Sequence, residues 1–341
     1  MRTTIRDVAM AAGCSITAVS LVLNGKTRNI SAQTEARILD AAKQLNYHPN
    51  KLASHLVTKK SNIIGLILPD NCNLFFGMVL KAAEHEADQA GYRVICGNSN
   101  NSINKDCAYI NTFIDYCVDG ILIIKSDSPK QEENEQLAEL IRTLPSPVVA
   151  IDRQIDGLDV PTYTVNNMYG GYTATKHLLE MGHRRIGYYT YPLRVYTAAQ
   201  RLKGYKMALA EYGVPYDPEL VCQLSNGFSG NHRAVGDFRR KGVTAVFAHN
   251  DTLAYELYKF AQMEGVRVPS DMSIVGFDDL EISKYLTPGL TTVRQEISQK
   301  GEKAVELLLD NIQDADMTKR EVIIPVSLSR RESVRDMRGE E

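Results

Sequence analysis

Near residue 60 the chain changes its period, and that change limits what it can fold into. Before it, apolar residues recur at helical spacing; after it, short β-branched runs alternate with helical stretches. The first part predicts a small all-α unit and the second an α/β unit. The runs "NIIGLIL" (62–68), "YRVIC" (92–96), "GILII" (120–124) and "PVVAI" (147–151) read as strands. Helices are expected over about 75–90, 104–117 and 131–143. A second series begins near Tyr163: helix 168–181, strand 186–191, helices 198–212 and 230–240, strand 244–251, helix 252–264 and strand 273–279. Apolar strands between helices imply parallel sheets covered on both faces, and two series imply two similar lobes. A last helix from Glu296 to Ile312 and the run "EVIIPVSL" (321–328) can return to the two lobes in turn. The tail "RRESVRDMRGEE" is charged and is expected to fray.

Within the all-α part, "TIRDVAMAAGCSITAVSLVLNG" (4–25) reads as two short helices around a turn at Gly13-Cys14. Thr4 and Asp7 have capping-box spacing, Ser15 can cap the second helix, and Asn24-Gly25 can end it. Ile16, Val19, Val22 and Leu23 share one side and are expected to pack inward. Thr17, Leu21 and Asn24 point the other way, flanked by Ala18 and Ser20. That face is small and uncharged, which suits close approach to base edges by the second helix of a helix-turn-helix. The same pattern serves an ordinary helical hairpin in a core. A third helix, Ser31 to about Asn46, closes a three-helix core, and His48-Pro49 stops it. The segment "NKLASHLVTKK" (50–60) has helical composition but only about two turns, too few to be stable alone. It reads either as a plain linker or as a hinge that folds on DNA, with Leu56 as a minor-groove wedge.

Charge separates the two parts. Residues 1–60 hold nine Lys/Arg against three acids, a balance of +6, while the remainder of a chain of net charge −2 carries −8. A basic head on an acidic body suits phosphate-backbone binding by the head alone. No run of eighteen apolar residues exists, and the first seven residues already carry charge, so neither a membrane span nor export is expected and the cytoplasm is the expected compartment. Six cysteines are scattered without a C-x-x-C pair, as reduced thiols would be, and the seven histidines are dispersed; no metal site is expected.

In open parallel sheets ligands bind outside the carboxyl ends of strands. Here those ends carry Pro69, Asp70, Asn73, Phe75 and Phe76; Asp152 and Arg153; His249, Asn250 and Asp251; Asp278 and Asp279. Carboxylates, amides and an arginine beside aromatic faces are what a polyhydroxylated ligand needs, since each hydroxyl both donates and accepts. Each of these residues is equally placed to cap a helix or fill a turn. Phosphate loops, the dinucleotide fingerprint, the nucleophile elbow and the zincin motif are all missing, so an enzyme is not expected.

Several long blocks resemble the LacI/GalR family of bacterial transcriptional regulators. They are "TIRDVAMAAGCSITAVSLVLNG", "ARILDAAKQLNYHPNKLASHL", "IGLILPD", "VDGILII", "GGYTATKHLLEMGHRRIGYY", "AVFAHNDTLAYELYKFAQMEGVRVPSDMSIVGFDD" and "YLTPGLTTVRQ", in order over about residues 3–330. The resemblance implies a three-helix DNA-binding head (1–48), a hinge helix (49–60) and an α/β core (61–341) of two parallel-sheet lobes similar to periplasmic sugar-binding proteins. It divides the core into a first lobe of about 61–161 and 291–320, a second of about 162–290 and 321–330, and the tail. It implies a homodimer on a pseudo-palindromic operator, a small-molecule effector, often a sugar, between the lobes, and no cofactor. Some relatives respond instead to a phosphorylated carrier protein or to a nucleobase.

Carried over by position, Thr17, Ala18 and Leu21 would read bases, Ser15, Ser20, Asn24, Asn29 and Tyr47 would lie at or near backbone contacts, and Leu56 would enter the minor groove. Asn73, Phe75, Phe76, Asp152, Arg153, Asn167, Arg201, Phe228, Asn250, Asp278 and Gln295 would face the effector. Arg201 opens "RLKGY", which fits the family's R-x-x-G-[FY]. Departures are Leu21 where relatives are often polar or basic, Ser54-His55 in the hinge, Asn166, and "TYPLRVYT". Leu21 cannot donate to guanine, so apolar contact with a thymine methyl and an altered operator are expected.

Overall fold

A computed structural model describes residues 3–28, 30–48, 60–224, 231–313 and 321–339. The chain divides into two compact units, one ending at Ser61 and the other beginning at Asn62.

The first unit contains α1 (Ile5–Ala12), α2 (Ile16–Leu23) and α3 (Ala32–Gln44). The capping box forms: Asp7 N donates to Thr4 Oγ1 and Thr4 N to Asp7 Oδ2 at 2.8 Å. Ser15 Oγ accepts from Ala18 N at 3.1 Å, and Gly13 ends α1 at φ 61°. A left-handed residue there turns the chain sharply, so α1 and α2 meet at 105°. Val8, Ala9, Ala12, Val19, Val22, Ile38, Ala41 and Ala42 form the core. Ile16 departs from expectation. It begins α2 at the surface, 45 % exposed, because the core beneath an eight-residue helix reaches only Val19 and Val22.

In the second unit two six-stranded sheets make two lobes. The strands are β1 (Ile63–Leu68), β2 (Arg93–Asn98), β3 (Gly120–Ile123), β4 (Val148–Ile151), β5 (Thr162–Val165), β6 (Ile186–Thr190), β7 (Val221–Gln223), β8 (Ala245–Ala248), β9 (Ser273–Asp278), β10 (Thr291–Arg294), β11 (Glu321–Ile324) and β12 (Ser327–Ser329). The first sheet runs β11-β5-β4-β3-β1-β2, all parallel; the second runs β12-β10-β9-β8-β6-β7, with only the β10–β12 pair antiparallel. The helices are α4 (Leu74–Gln89), α5 (Ile103–Asp115), α6 (Gln131–Arg142), α7 (Asn167–Glu180), α8 (Tyr196–Glu211), α9 (Ala234–Arg240), α10 (Asp251–Met263) and α11 (Ile297–Gln313). β1, β3, β4, β8 and β9 are buried almost throughout, which is why they read as unbroken apolar runs.

Three lobe assignments change. β5 and β11 pair with each other and belong to the first sheet, not the second lobe, whereas β10 belongs to the second sheet, not the first lobe. The chain therefore crosses between lobes after β5, after β10 and at Pro325, between β11 and β12. α11 packs against α4, β3, β4 and β5 of the first lobe. The tail does not fray over its described residues. Ser333 is fully buried and donates to Ile274 O at 2.6 Å, Arg331 pairs with Asp279, and Met337 N donates to Met181 O at 2.7 Å.

Candidate functional site

On the head, Thr17, Leu21 and Asn24 lie exposed along α2, with Ala18 and Ser20 half-buried beside them. Leu21 is 37 % exposed, an apolar side chain left on a short helix among small polar ones. Asn24 Nδ2 donates to Ser20 O at 2.8 Å, so these two backbone-contact candidates brace each other at the helix end. Ser15 is exposed, and Tyr47 is half-buried against the three-helix core. Asn29 and Leu56 lie outside the described residues.

The second unit holds a cleft of about 220 Å³, lined from the carboxyl ends of both sheets. Asn73, Phe75, Phe76, Asp152, Arg153, Arg201, Asn250, Asp278 and Gln295, all candidates from sequence, line it. Phe228 lies outside the described residues. Asn167 lies behind the wall, where its Oδ1 accepts from Arg201 Nε at 2.9 Å. The cap and ligand readings of the asparagines prove compatible. Asn73 Oδ1 accepts from Phe75 N and Asn250 Oδ1 from Leu253 N, each at 3.0 Å, so both start a helix while lining the cleft. Asp251 and Asp279 turn away. Asp251 accepts from Leu280 N, Ser283 Oγ and Thr292 Oγ1; Asp279 meets Arg331 and Ser329.

Arg201 is placed by helix packing. A Cβ on Gly171 of α7 would stand 2.3 Å from Arg201 O, and one on Gly204 of α8 only 1.9 Å from Met168 O. The two helices therefore touch backbone to backbone, which is the physical content of the glycine in "RLKGY". Arg201 is 3 % exposed, donates to His249 O, and stacks its guanidinium 3.5 Å from the Phe277 ring centroid. Arg153 donates to Lys125 O at 2.9 Å, while its buried Nε finds no hydrogen-bond partner among the described residues. An orphaned donor in a cleft is an invitation to an acceptor.

The two buried carboxylates of the cleft share a backbone peculiarity: Asp152 has φ 66° and Asp278 φ 126°. Strain of about 1–3 kcal/mol per residue is typical of such positions and collects where side chains must be aimed. Asp278 Oδ1 accepts from Gln295 Nε2 at 2.6 Å. Burial pushes its pKa up, and Asp251 adds to this while Arg201 opposes it. For Asp152 burial also opposes ionisation, but Lys300, with Arg153 and Arg201, outweighs it and holds the carboxyl below the usual range. Lys300 Nζ donates to Asp152 Oδ1 at 2.7 Å and to Gln295 Oε1 at 2.8 Å. His249 is kept neutral by burial and by Arg201 and Arg153.

Tyr191, Thr197, Asn101, Asp127 and Thr252 also line the cleft and were not singled out from sequence. Tyr191 follows β6, so the strand-end rule itself pointed to it. Among the described residues no group of His, Cys, Asp or Glu could hold a metal, and no single helix is long and apolar enough to cross a membrane.

The model for bacterial regulatory proteins of the lacI family matches residues 4–50, and that for periplasmic binding protein-like domains matches residues 175–334. A repressor named PurR from Aliivibrio fischeri (strain MJ11) is 34 % identical over 93 % of this chain and 94 % of its own. This chain belongs to the lacI family. The Lac repressor dimer solved with operator and the anti-inducer ONPF is similar at TM-score 0.85 and 25 % identity, over 98 % of this chain and 100 % of that one. A LacI-family regulator from Enterococcus faecium with bound ribose is 28 % identical, with TM-score 0.69, over 80 % of this chain and 99 % of that one. Like its lacI-family relatives the chain is a DNA-binding transcriptional regulator with a ligand-binding core, not an enzyme.

Proposed function

We propose that this regulator is a homodimeric repressor of sugar-utilisation genes whose operator affinity is changed by a free monosaccharide bound between the core lobes. One observation carries the reading: Asp152 and Asp278, on opposite walls, stand beside Arg153 and Arg201, with Asn73, Asn250 and the Phe75–Phe76 pair around them. A sugar ring offers donors and acceptors around its whole edge and C–H faces for aromatic rings, so it can use every one of these groups. The similarity to a regulator solved with ribose supports it. Thr17, Ala18 and Leu21 would contact bases, with Ser15, Ser20, Asn24, Asn29 and Tyr47 near phosphates and Leu56 in the minor groove. Ligand contacts from both walls favour one lobe arrangement, and operator and effector then change each other's affinity by the same factor.

The similarity to PurR favours a second reading, a nucleobase or nucleoside co-repressor. A purine base carries no hydroxyls, however, and would meet Asp152 and Asp278 through ring and exocyclic N–H groups alone, whereas a nucleoside would meet them through its ribose. The test is operator binding by the full-length chain, titrated with pentoses, hexoses, sugar phosphates, nucleobases and nucleosides. Release from operator by a monosaccharide at micromolar to millimolar concentration supports the first reading. Tightening by a nucleobase replaces it, and a response confined to a phosphorylated carrier protein removes the cleft from the switch.

A further inference from the structure

Lys300 belongs to no group that the sequence marked. It lies in "QEISQKGEKAVELL", where lysines and glutamates read as the solvated face of a helix. In the structure its side chain is fully buried. The cause is its neighbour. A Cβ on Gly301 would stand 2.6 Å from Val79 O and 2.9 Å from Ala83 N, so the start of α11 lies directly on α4. This close approach carries Lys300 under the floor of the cleft, 4.8 Å from the Phe75 ring centroid. A lysine in the first turn of a helix meets the positive end of the dipole, and a buried ammonium needs full compensation. Asp152 and Gln295 supply it.

The hydrogen bonds form a relay across the cleft. Lys300 Nζ donates to Asp152 Oδ1 in the first lobe and to Gln295 Oε1 in the crossover between β10 and α11; Gln295 Nε2 donates to Asp278 Oδ1 in the second lobe. We propose that Lys300 is a positioning residue for the effector: from beneath the cleft it holds Asp152 with one oxygen already occupied, and through Gln295 it orients Asp278 on the opposite wall. This rests on the reading of the cleft as a site for a polyhydroxylated ligand. A ligand hydroxyl then meets Oδ2 of Asp152 in a fixed direction, and specificity falls on the ring positions that can reach it. The charged and titratable groups facing Asp152 are Lys300 from α11, Arg153 beside it, Arg201 and Tyr196 from α8, and Asp278 from β9. Without Lys300 the two arginines remain, but the nearest cation and its hydrogen bond are gone.

The test uses the full-length chain, with D-ribose and the other free aldopentoses and aldohexoses as probes. Binding is followed by calorimetry from pH 5 to 7, below the range near pH 8 in which Asp278 gives up its proton, for the wild type, Lys300→Met, Lys300→Arg and the double variant Asp152→Asn/Lys300→Met. For Lys300→Met the expected result is a loss of affinity on the order of tenfold to a hundredfold at pH 7, the size seen at metal sites when a partner that orients a ligating side chain is lost. The loss should grow toward pH 5 as Asp152 takes a proton, whereas wild-type binding stays flat. Lys300→Arg should recover part of the affinity and the flat profile. The double variant removes both buried charges, so it reports even where the single variant fails to fold; its binding should be weak and independent of pH. Wild-type affinity and a flat profile in Lys300→Met would overturn the positioning role while leaving the sugar site intact. So would a pH-dependent double variant. If the wild type binds none of these sugars, the sugar reading fails and this inference falls with it.

Discussion

Asp152 and Asp278 end corresponding strands of the two lobes, yet their surroundings drive them to opposite protonation states. Both are buried, both have positive φ, and both face one cleft. Asp152 has an ammonium 2.7 Å away and is held ionised; Asp278 accepts from an amide and is pushed toward the neutral acid by burial. Two similar lobes thus present dissimilar acceptors. A neutral carboxyl can both donate and accept, while a carboxylate only accepts. The cleft is therefore polar in direction, and the proposed sugar would enter it in one orientation.

The largest expected effect breaks the buried pair. Lys300→Met leaves Asp152 without its nearest cation and should cost about 3–5 kcal/mol in urea unfolding at pH 7. A cost below about 1 kcal/mol would mean that the two carboxylates are equivalent after all. Next, Asp152→Asn should cost about 3 kcal/mol, because it strands the ammonium, whereas Asp278→Asn should stay within about 1 kcal/mol at pH 7, since it replaces a group already near neutral. Equal costs for the two variants would erase the contrast.

Their pH dependence has opposite sign. The folded pKa of Asp152 lies below its unfolded value, so its stabilisation is present above the unfolded pKa and lost as pH falls through the folded one. The folded pKa of Asp278 lies above its unfolded value, so its contribution is complete below the unfolded pKa and lost as pH rises through the folded one. Asp152→Asn should flatten the acid limb of the stability profile, and Asp278→Asn the decline above the ordinary carboxylate range. The smallest effect is at the rim. Arg194 meets Asp127 across the cleft mouth at 3.4 Å with half its side chain in water. Arg194→Ala should cost at most about 1 kcal/mol, and less in high salt, measured by the same unfolding series.

Much of this was legible in the sequence because it is local. Thr4, Asp7 and Ser15 cap helices through partners three residues away, and the strands announce themselves as buried runs. The polar residues at their carboxyl ends follow from the geometry of parallel sheets, so nine of the eleven effector candidates line the cleft. What failed is non-local. Lobe membership of β5, β10 and β11 is decided by which strand each pairs with: β11 pairs with β5 far back in the chain, as Thr162 with Glu321 shows, while β5 and β10 also pair with β4 and β9, the strands just before them, so the chain crosses over after these strands and not before them. Asp251 and Asp279 look in sequence like Asp278, but Ser283, Thr292 and Arg331 capture them.

By itself the sequence determined the helical head, the two-lobed α/β plan and the acidic, amide-rich strand ends, since period, capping and burial act over a few residues. Tertiary structure alone decided which carboxylate is charged. That depends on an ammonium 148 residues away from Asp152, drawn under the cleft because Gly301 lets one helix lie against another.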